Sequence, residues 1–193
     1  MHPGSGPPTL GTTESASGGI TMGASAISHA DPSLLDWLGS HDVEYEVHEH
    51  APAFTARGAA KAEGVDPHTF AKVVAVRTKD GRSAFLVIET TDQLDLRKAA
   101  RTLGADEVRL LSEGELATLA PTIEVGAVPA IGALYGVPMV ADYAVRDDRD
   151  ISFNAGSHSC SVRVERVGWE RASGVVYADL AADRDDRPAW ALS

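Results

Sequence analysis

The run Phe70-Ala71-Lys72-Val73-Val74-Ala75-Val76 constrains this chain more than any other stretch. Apolar side chains at successive positions predict a strand covered on both faces, as in the interior of a sheet. Alternation along a strand places Lys72 on one face with Phe70, Val74 and Val76. An ammonium on such a face must either reach water at the strand mouth, its stem packed and its head wet, or lie in a pocket with a partner. The strand alone leaves both readings open.

The flanking chain supplies the frame. Asp31-Pro32 reads as an N-cap with proline at the first helical position, and Leu34, Leu35, Trp37 and Leu38 give that helix its buried side. Val43, Tyr45 and Val47 alternate with polar residues, predicting a half-buried strand. Thr55 caps a helix that runs to about Glu63 and closes at Gly64. Lys79-Asp80-Gly81-Arg82 predicts a hairpin turn into a strand over 83–89. Asp95 opens a helix over 96–103, a short strand follows at 108–111, and Ser112 with Glu115 forms a capping box. Strands at 137–141, 151–155 and 160–164, a helix near 167–171 and a strand at 175–177 complete the pattern. Short strands and helices without strict alternation predict an α+β domain with a mixed sheet.

Composition bounds the function. At 193 residues, with 44% hydrophobic and 23% charged residues, the chain suits one globular domain. Residues 1–30 are Gly-, Ser- and Pro-rich and predict a disordered tail, 31–180 the folded domain, and 181–193 a loose charged tail. No apolar run reaches the roughly 20 residues needed to span a bilayer, so no membrane partner is expected. The start lacks the pattern of a secretory signal, and Cys160 is the only cysteine. Together these suggest a reducing, cytoplasmic setting. The net charge is −11. Between Ser33 and Leu180, 15 basic residues still face 23 acidic ones. That balance excludes tight nonspecific binding to nucleic acid, which depends on Lys and Arg displacing counterions. Arg57, Lys61, Arg97, Lys98 and Arg101 are the candidates for a local basic patch.

Several constellations carry possible chemistry. The segment from Gly126 to Gly136 is rich in Gly and Pro yet apolar, which suits a pocket lined by main-chain amides able to hold an oxyanion. It equally suits a connecting loop that needs glycine for its turns. Gly156-Ser157-His158-Ser159 between two strands reads as a hairpin turn or as part of a site. His48, His50, His158 and Cys160 offer metal-ligand chemistry at spacings that match no specific motif. Cys160 near His158 offers a nucleophile, although a strand cysteine is commonly inert packing. Phosphate-loop and dinucleotide fingerprints are absent.

One ordered series of motifs runs through the chain: His50-Ala-Pro-Ala-Phe54-Thr55, Ala71-Lys72-Val73-Val74, Asp95-Leu96-Arg97-Lys98, Gly126-Ala127-Val128-Pro129 with Ile131-Gly132, Val140-Ala141-Asp142, and Phe153-Asn154-Ala155-Gly156-Ser157-His158. This series resembles the YbaK family of freestanding trans-editing proteins, related to the editing domain inserted in bacterial prolyl-tRNA synthetases. The resemblance spans roughly Leu34 to Arg171. It implies a single α+β domain whose mixed sheet is partly closed like a barrel and flanked by short helices. It also implies an aminoacyl-tRNA deacylase that removes a small amino acid wrongly attached to tRNA-Pro or a related tRNA.

On that resemblance Lys72 belongs in the pocket, contacting the terminal adenosine or its phosphates, and Gly126 and Gly132 shape the oxyanion site. Ala127, Val128, Pro129, Ala130 and Ile131 line the same loop. Phe54, Val74, Ile131 and His158 are expected as pocket walls. His50, Thr55, Asp142, Gly156 and Ser157 complete the expected substrate contacts. Relatives commonly carry a second proline where this chain has Ala130, which implies a differently sized pocket. No cofactor is implied. The 3′ end of aminoacyl-tRNA is the expected transient partner, with an aminoacyl-tRNA synthetase as a second candidate. The alternatives are a non-catalytic relative that binds tRNA or a synthetase, and a metal-dependent hydrolase.

Overall fold

Asp31 anchors the first helix of the computed structural model, which describes Met1 and residues 29–183. Its carboxylate accepts hydrogen bonds from the amides of Ser33 and Leu34, with Pro32 following at the first helical position. Helix α1 (Pro32–Ser40) buries Leu34 and Leu38, one turn apart. Strand β1 (Tyr45–Glu49) leads to α2 (Ala56–Glu63), capped by the Thr55 hydroxyl and closed by Gly64 at φ 82°. Strands β2 (Ala71–Thr78) and β3 (Ser83–Glu89) form an antiparallel hairpin whose turn places Gly81 at φ 92°. Helix α3 (Leu96–Thr102), β4 (Val108–Leu110) and α4 (Glu113–Leu119) follow, the last opening on the Ser112–Glu115 capping box. After the Gly/Pro-rich segment come β5 (Met139–Asp142), β6 (Asp150–Ser157), β7 (Cys160–Glu165), α5 (Arg166–Ser173) and β8 (Val176–Ala178). Two 3-10 turns, Gly132–Tyr135 and Tyr143–Asp147, flank β5 and were not anticipated from the sequence. The expected disordered tail and most of the C-terminal tail lie outside the described residues.

The strands fall into two sheets, one of them mixed. One has the order β1-β7-β6 and is antiparallel throughout. The other has the order β4-β2-β3-β5-β8, with antiparallel pairs on the β2 side and parallel pairs at β3–β5 and β5–β8. A parallel bridge between Phe70 and Ser152 links the two, and among the described residues they do not close into a barrel. The architecture is thus a single mixed α+β domain in which closure is limited to that junction.

Between the sheets lies the main core, where Ala71, Phe85 and Val87 meet Ile151, Phe153, Val162, Val164 and Trp169. A second core on the outer face of the five-stranded sheet joins Val76, Leu86, Ile88 and Val140 to Ala99 and Ala100 of α3. Alternation along β2 divides its residues between these cores, and Val74 packs on the α3 side. The fully covered strand is β3, not β2, because β3 sits at the centre of the five and β2 one place nearer the edge. Tyr45 and Val47, expected to be half-buried, remain 38% and 37% exposed because β1 is an edge strand.

Two polar locks hold elements around this frame. The buried Asp142 carboxylate accepts from the amides of Ala144 (2.9 Å), Leu180 (2.7 Å) and Ala181 (2.8 Å). This corrects its expected role as a substrate contact: Asp142 ties the chain beyond β8 to the sheet. At the end of β3, His68 Nδ1 lies 2.7 Å from Glu89 Oε2, which also accepts from the Thr91 hydroxyl at 3.1 Å. That pair fixes the turn over 89–92. Replacing Asp142 with Ala strands buried donors and is expected to lower stability by about 3 kcal/mol, read from urea midpoints. The hydrogen bond to Glu89 raises the His68 pKa above its ordinary 6.5. Its stabilising contribution is therefore full below that value and lost as pH rises through the raised one. An NMR titration should give a His68 midpoint above 6.5 that returns to its ordinary value in Glu89→Gln.

Candidate active site

The β6–β7 hairpin and the Gly/Pro-rich segment are fastened together by four hydrogen bonds. The Glu124 amide donates to the Gly156 carbonyl (3.0 Å), and the Gly156 amide donates to the Ala127 carbonyl (3.1 Å). The His158 amide donates to the Glu124 carboxylate (2.6 Å), and Asn154 Nδ2 reaches the Gly126 carbonyl at 3.5 Å. Gly156 is required here twice over: its φ is +98°, and a Cβ would fall 2.8 Å from Asp31 Cβ and 2.9 Å from Ile123 Cδ1. From the other side, the His50 amide donates to the Ser159 carbonyl (2.9 Å) and the Ala53 amide to the His158 carbonyl (2.8 Å). These contacts gather His50, Phe54, Gly126, Asn154, Ser157 and His158 in one place. Phe54 remains 78% exposed, its ring 5.0 Å from that of His158.

Lys72 stands just beyond the junction between the sheets, opposite Ile88 of β3. Ser152 donates its amide to the Thr69 carbonyl (2.9 Å), fixing the parallel register of Phe70 with Ser152. Phe70 packs on Ala59 and Ala60 of α2, and the Ser152 hydroxyl donates to Glu63 of the same helix, so both side chains face α2. Two residues further along each chain stand Lys72 and Asn154, which alternation turns to that same side. The half-buried Lys72 ammonium donates to the Asp92 carbonyl at 2.6 Å and approaches the Thr90 carbonyl at 3.5 Å. Main-chain oxygens of the turn pinned by His68 and Glu89 thus hold the cation at the end of β2.

The hairpin is apolar on its core face and polar on the face toward α2. Ser152, Asn154 and Ser161 occupy the polar face, and Ile151, Phe153, Ala155, Cys160 and Val162 the other. Five buried polar atoms here make no hydrogen bond: His48 Nε2, His50 Nε2, Asn154 Oδ1, Ser157 Oγ and His158 Nδ1. Buried polar atoms are almost always satisfied, so this group is unusual, although one of the five, His48 Nε2, lies 3.4 Å from the Glu46 carboxylate.

Other expected site residues serve the fold. Ala127, Val128, Pro129, Ala130 and Ile131 are buried, and most of them belong to the core between the sheets. Ala130 is fully buried in that core, and its carbonyl accepts from Trp169 Nε1 at 2.8 Å. A Cβ on Gly132 would meet the Val137 carbonyl oxygen at 2.5 Å; its smallness lets the chain fold back on itself, not a ligand approach. Val74 faces α3, away from the residues with which it was grouped as a wall. The Thr55 hydroxyl is occupied as the cap of α2. Within the expected basic patch, Lys98 is bound to Asp179, Asp183 and the Ala181 carbonyl, whereas Arg57, Lys61, Arg97 and Arg101 are exposed.

Cys160 points into the core beside Val162, on the face of β7 opposite Ser161, which leaves it unsuited to attack an external substrate. Among the described residues no three His, Cys, Asp or Glu side chains are grouped to hold a metal ion. The residues that sequence reasoning passed over are Ser152, Asn154, Ser161 and Glu63. The signal was present in the alternation of Ser152 and Asn154 with three apolar neighbours, which marks a strand with one polar face.

Comparison with known proteins gives a family match and similar folds. The model of the aminoacyl-tRNA editing domain matches residues 50–172, which include Lys72, the Gly126 segment and the whole β6–β7 hairpin. A crystal structure described only as that of a hypothetical protein is similar at 21% identity and a TM-score of 0.71, covering 77% of this chain and 99% of that one. A second, described as a candidate trans-editing enzyme for prolyl-tRNA synthetase, is similar at 22% identity and a TM-score of 0.69, covering 79% of this chain and 99% of that one. At these identities the two structures speak for the fold, while the match over 50–172 speaks for the family. The chain belongs to the aminoacyl-tRNA editing domain family.

Proposed function

We propose that this protein is a trans-editing deacylase that hydrolyses the ester between a small, wrongly attached amino acid and the 3′ end of tRNA-Pro or a related tRNA. What supports the reading is that a lysine held by carbonyls, a glycine-rich loop and a group of buried polar atoms without hydrogen bonds all fall in or beside the stretch matched by the editing-domain family.

An aminoacyl ester is already activated, so its hydrolysis needs a positioned water and a stabilised oxyanion more than a strong base. We assign the oxyanion contact to the amides of Gly126 and Val128. The amides of Ala127, Ile131 and Gly156 are committed to hydrogen bonds within the loop and hairpin. Lys72 contacts the phosphate or ribose oxygens of the terminal adenosine as a charged donor, not as a base. It exchanges one main-chain carbonyl for a substrate oxygen at little cost in desolvation. Phe54 and His158, whose rings pack at a 53° tilt, offer an aromatic surface to the terminal base. The 2′-hydroxyl of the substrate assists proton transfer, which accounts for a site without a Ser-His-Asp set. The acidic chain keeps affinity for the tRNA body low, so association is brief and sensitive to salt, or is aided by a synthetase that holds the tRNA.

Deacylation measured across Ala-, Cys-, Ser- and Thr-charged tRNA-Pro tests the reading. Lys72→Ala is expected to lower kcat/KM by at least about 100-fold on whichever substrate is hydrolysed, with the thermal midpoint little changed. Full turnover by Lys72→Ala would exclude this mechanism, and stoichiometric zinc with loss of activity on chelation would favour a metal hydrolase instead.

A further inference from the structure

Glu63, the last residue of α2, keeps its side chain only 1% exposed. Its carboxylate accepts from the hydroxyls of Ser152 and Ser161. His48 Nε2 stands 4.0 Å away, too far for a hydrogen bond, and 3.4 Å from the exposed Glu46. A carboxylate buried at a helix C-terminus meets the negative end of the helix dipole, and two neutral hydroxyls do not supply a counter-charge. Each of its oxygens keeps a lone pair beyond the serine bond.

The neighbouring orphans share its character. Asn154 stands directly opposite Ser161 in the ladder, so its side chain lies in the same layer as Glu63. Its Nδ2 is spent on the Gly126 carbonyl, which leaves Oδ1 as a buried acceptor with no donor. His50 Nδ1 lies 2.9 Å from the Ala51 carbonyl, which only accepts, so Nδ1 carries the proton and the unpartnered Nε2 is an acceptor in the neutral ring. From Glu63 to the Gly126 loop the polar face therefore offers acceptors and negative charge. A potential cationic donor, the His48 ring, stands at ion-pair distance from Glu63 but outside hydrogen-bond reach, and the Lys72 ammonium is held by the Asp92 carbonyl.

We infer that Glu63 and Asn154 Oδ1 form a subsite for the α-ammonium group of the amino acid on the tRNA. The inference rests on the deacylase reading above and adds to it a chemical requirement: the ester must carry a free amino group. An ammonium fits the subsite because it brings three N–H donors and one positive charge. An N-acylated ester, as in peptidyl-tRNA, brings one neutral donor and added bulk.

The test compares one hydrolysed aminoacyl-tRNA with its N-acetylated form, for the wild-type protein and for Glu63→Gln. N-acetylation is expected to lower wild-type kcat/KM about 100-fold or more. Glu63→Gln keeps the shape and the serine contacts but removes the charge; it should lose a similar factor on the free amine, hardly change on the acetylated ester, and bring the ratio near one. Asn154→Ala, assayed alongside, should narrow the ratio from the other wall of the subsite if Glu63→Gln does not fold. Equal wild-type rates on both esters, or an undiminished ratio in folded Glu63→Gln, would overturn the ammonium subsite while leaving the deacylase intact. Absence of wild-type turnover on every charged tRNA would instead overturn the deacylase reading itself.

Discussion

The site depends on one junction, the parallel bridge that ties Phe70 to Ser152. Without it the two sheets meet only through the packing of their apolar faces, which is not directional and leaves their relative register free. The bridge sets that register to the residue. The Thr90 amide donates to the Phe70 carbonyl and the Ser152 amide to that of Thr69, so β3 and β6 both grip the residues just before β2. Lys72 is the next residue of that face. Alternation puts it on the face that runs on through Val74 and Val76 toward α3.

Around the junction the molecule divides its labour by face. The inner faces of both sheets share one apolar core, and the outer face of the larger sheet packs on α3. Among the described residues, the buried side-chain polar atoms that make no hydrogen bond lie on and beside the smaller sheet. Such a layer costs stability wherever a buried donor or acceptor goes unpaired. It is sustained by its surroundings: capped helices, the Asp142 lock and a tightly packed centre at β3.

Much of the frame was legible in the sequence because its signals are local. The Asp31-Pro32 start, the Asp80-Gly81 turn, the Ser112–Glu115 box and the Gly64 stop each depend on a few adjacent residues and appear where the motifs put them. The site was less legible because it depends on pairing across the chain. Gly132 and Ile131 read as pocket lining from composition, yet the return of Val137 onto Gly132 makes them packing. Asp142 reads as a free carboxylate until the chain near Leu180 arrives to use it. Glu63 reads as an ordinary charged end of an Ala-rich helix, and only the serines of β6 and β7 show it to be buried.

The central claim is that the start of β2, the Gly126 loop and the polar face of β6 bound one cleft that receives the aminoacylated adenosine. The most direct measurement is an NMR titration of the protein with a non-hydrolysable 3′-amide analogue of alanyl-adenosine, following the backbone amides of Lys72, Gly126, Val128, Asn154 and His158. On this account all five move together along one saturating curve. Shifts at the Gly126 loop with Lys72 and Asn154 unmoved, or shifts confined to another face, would contradict it.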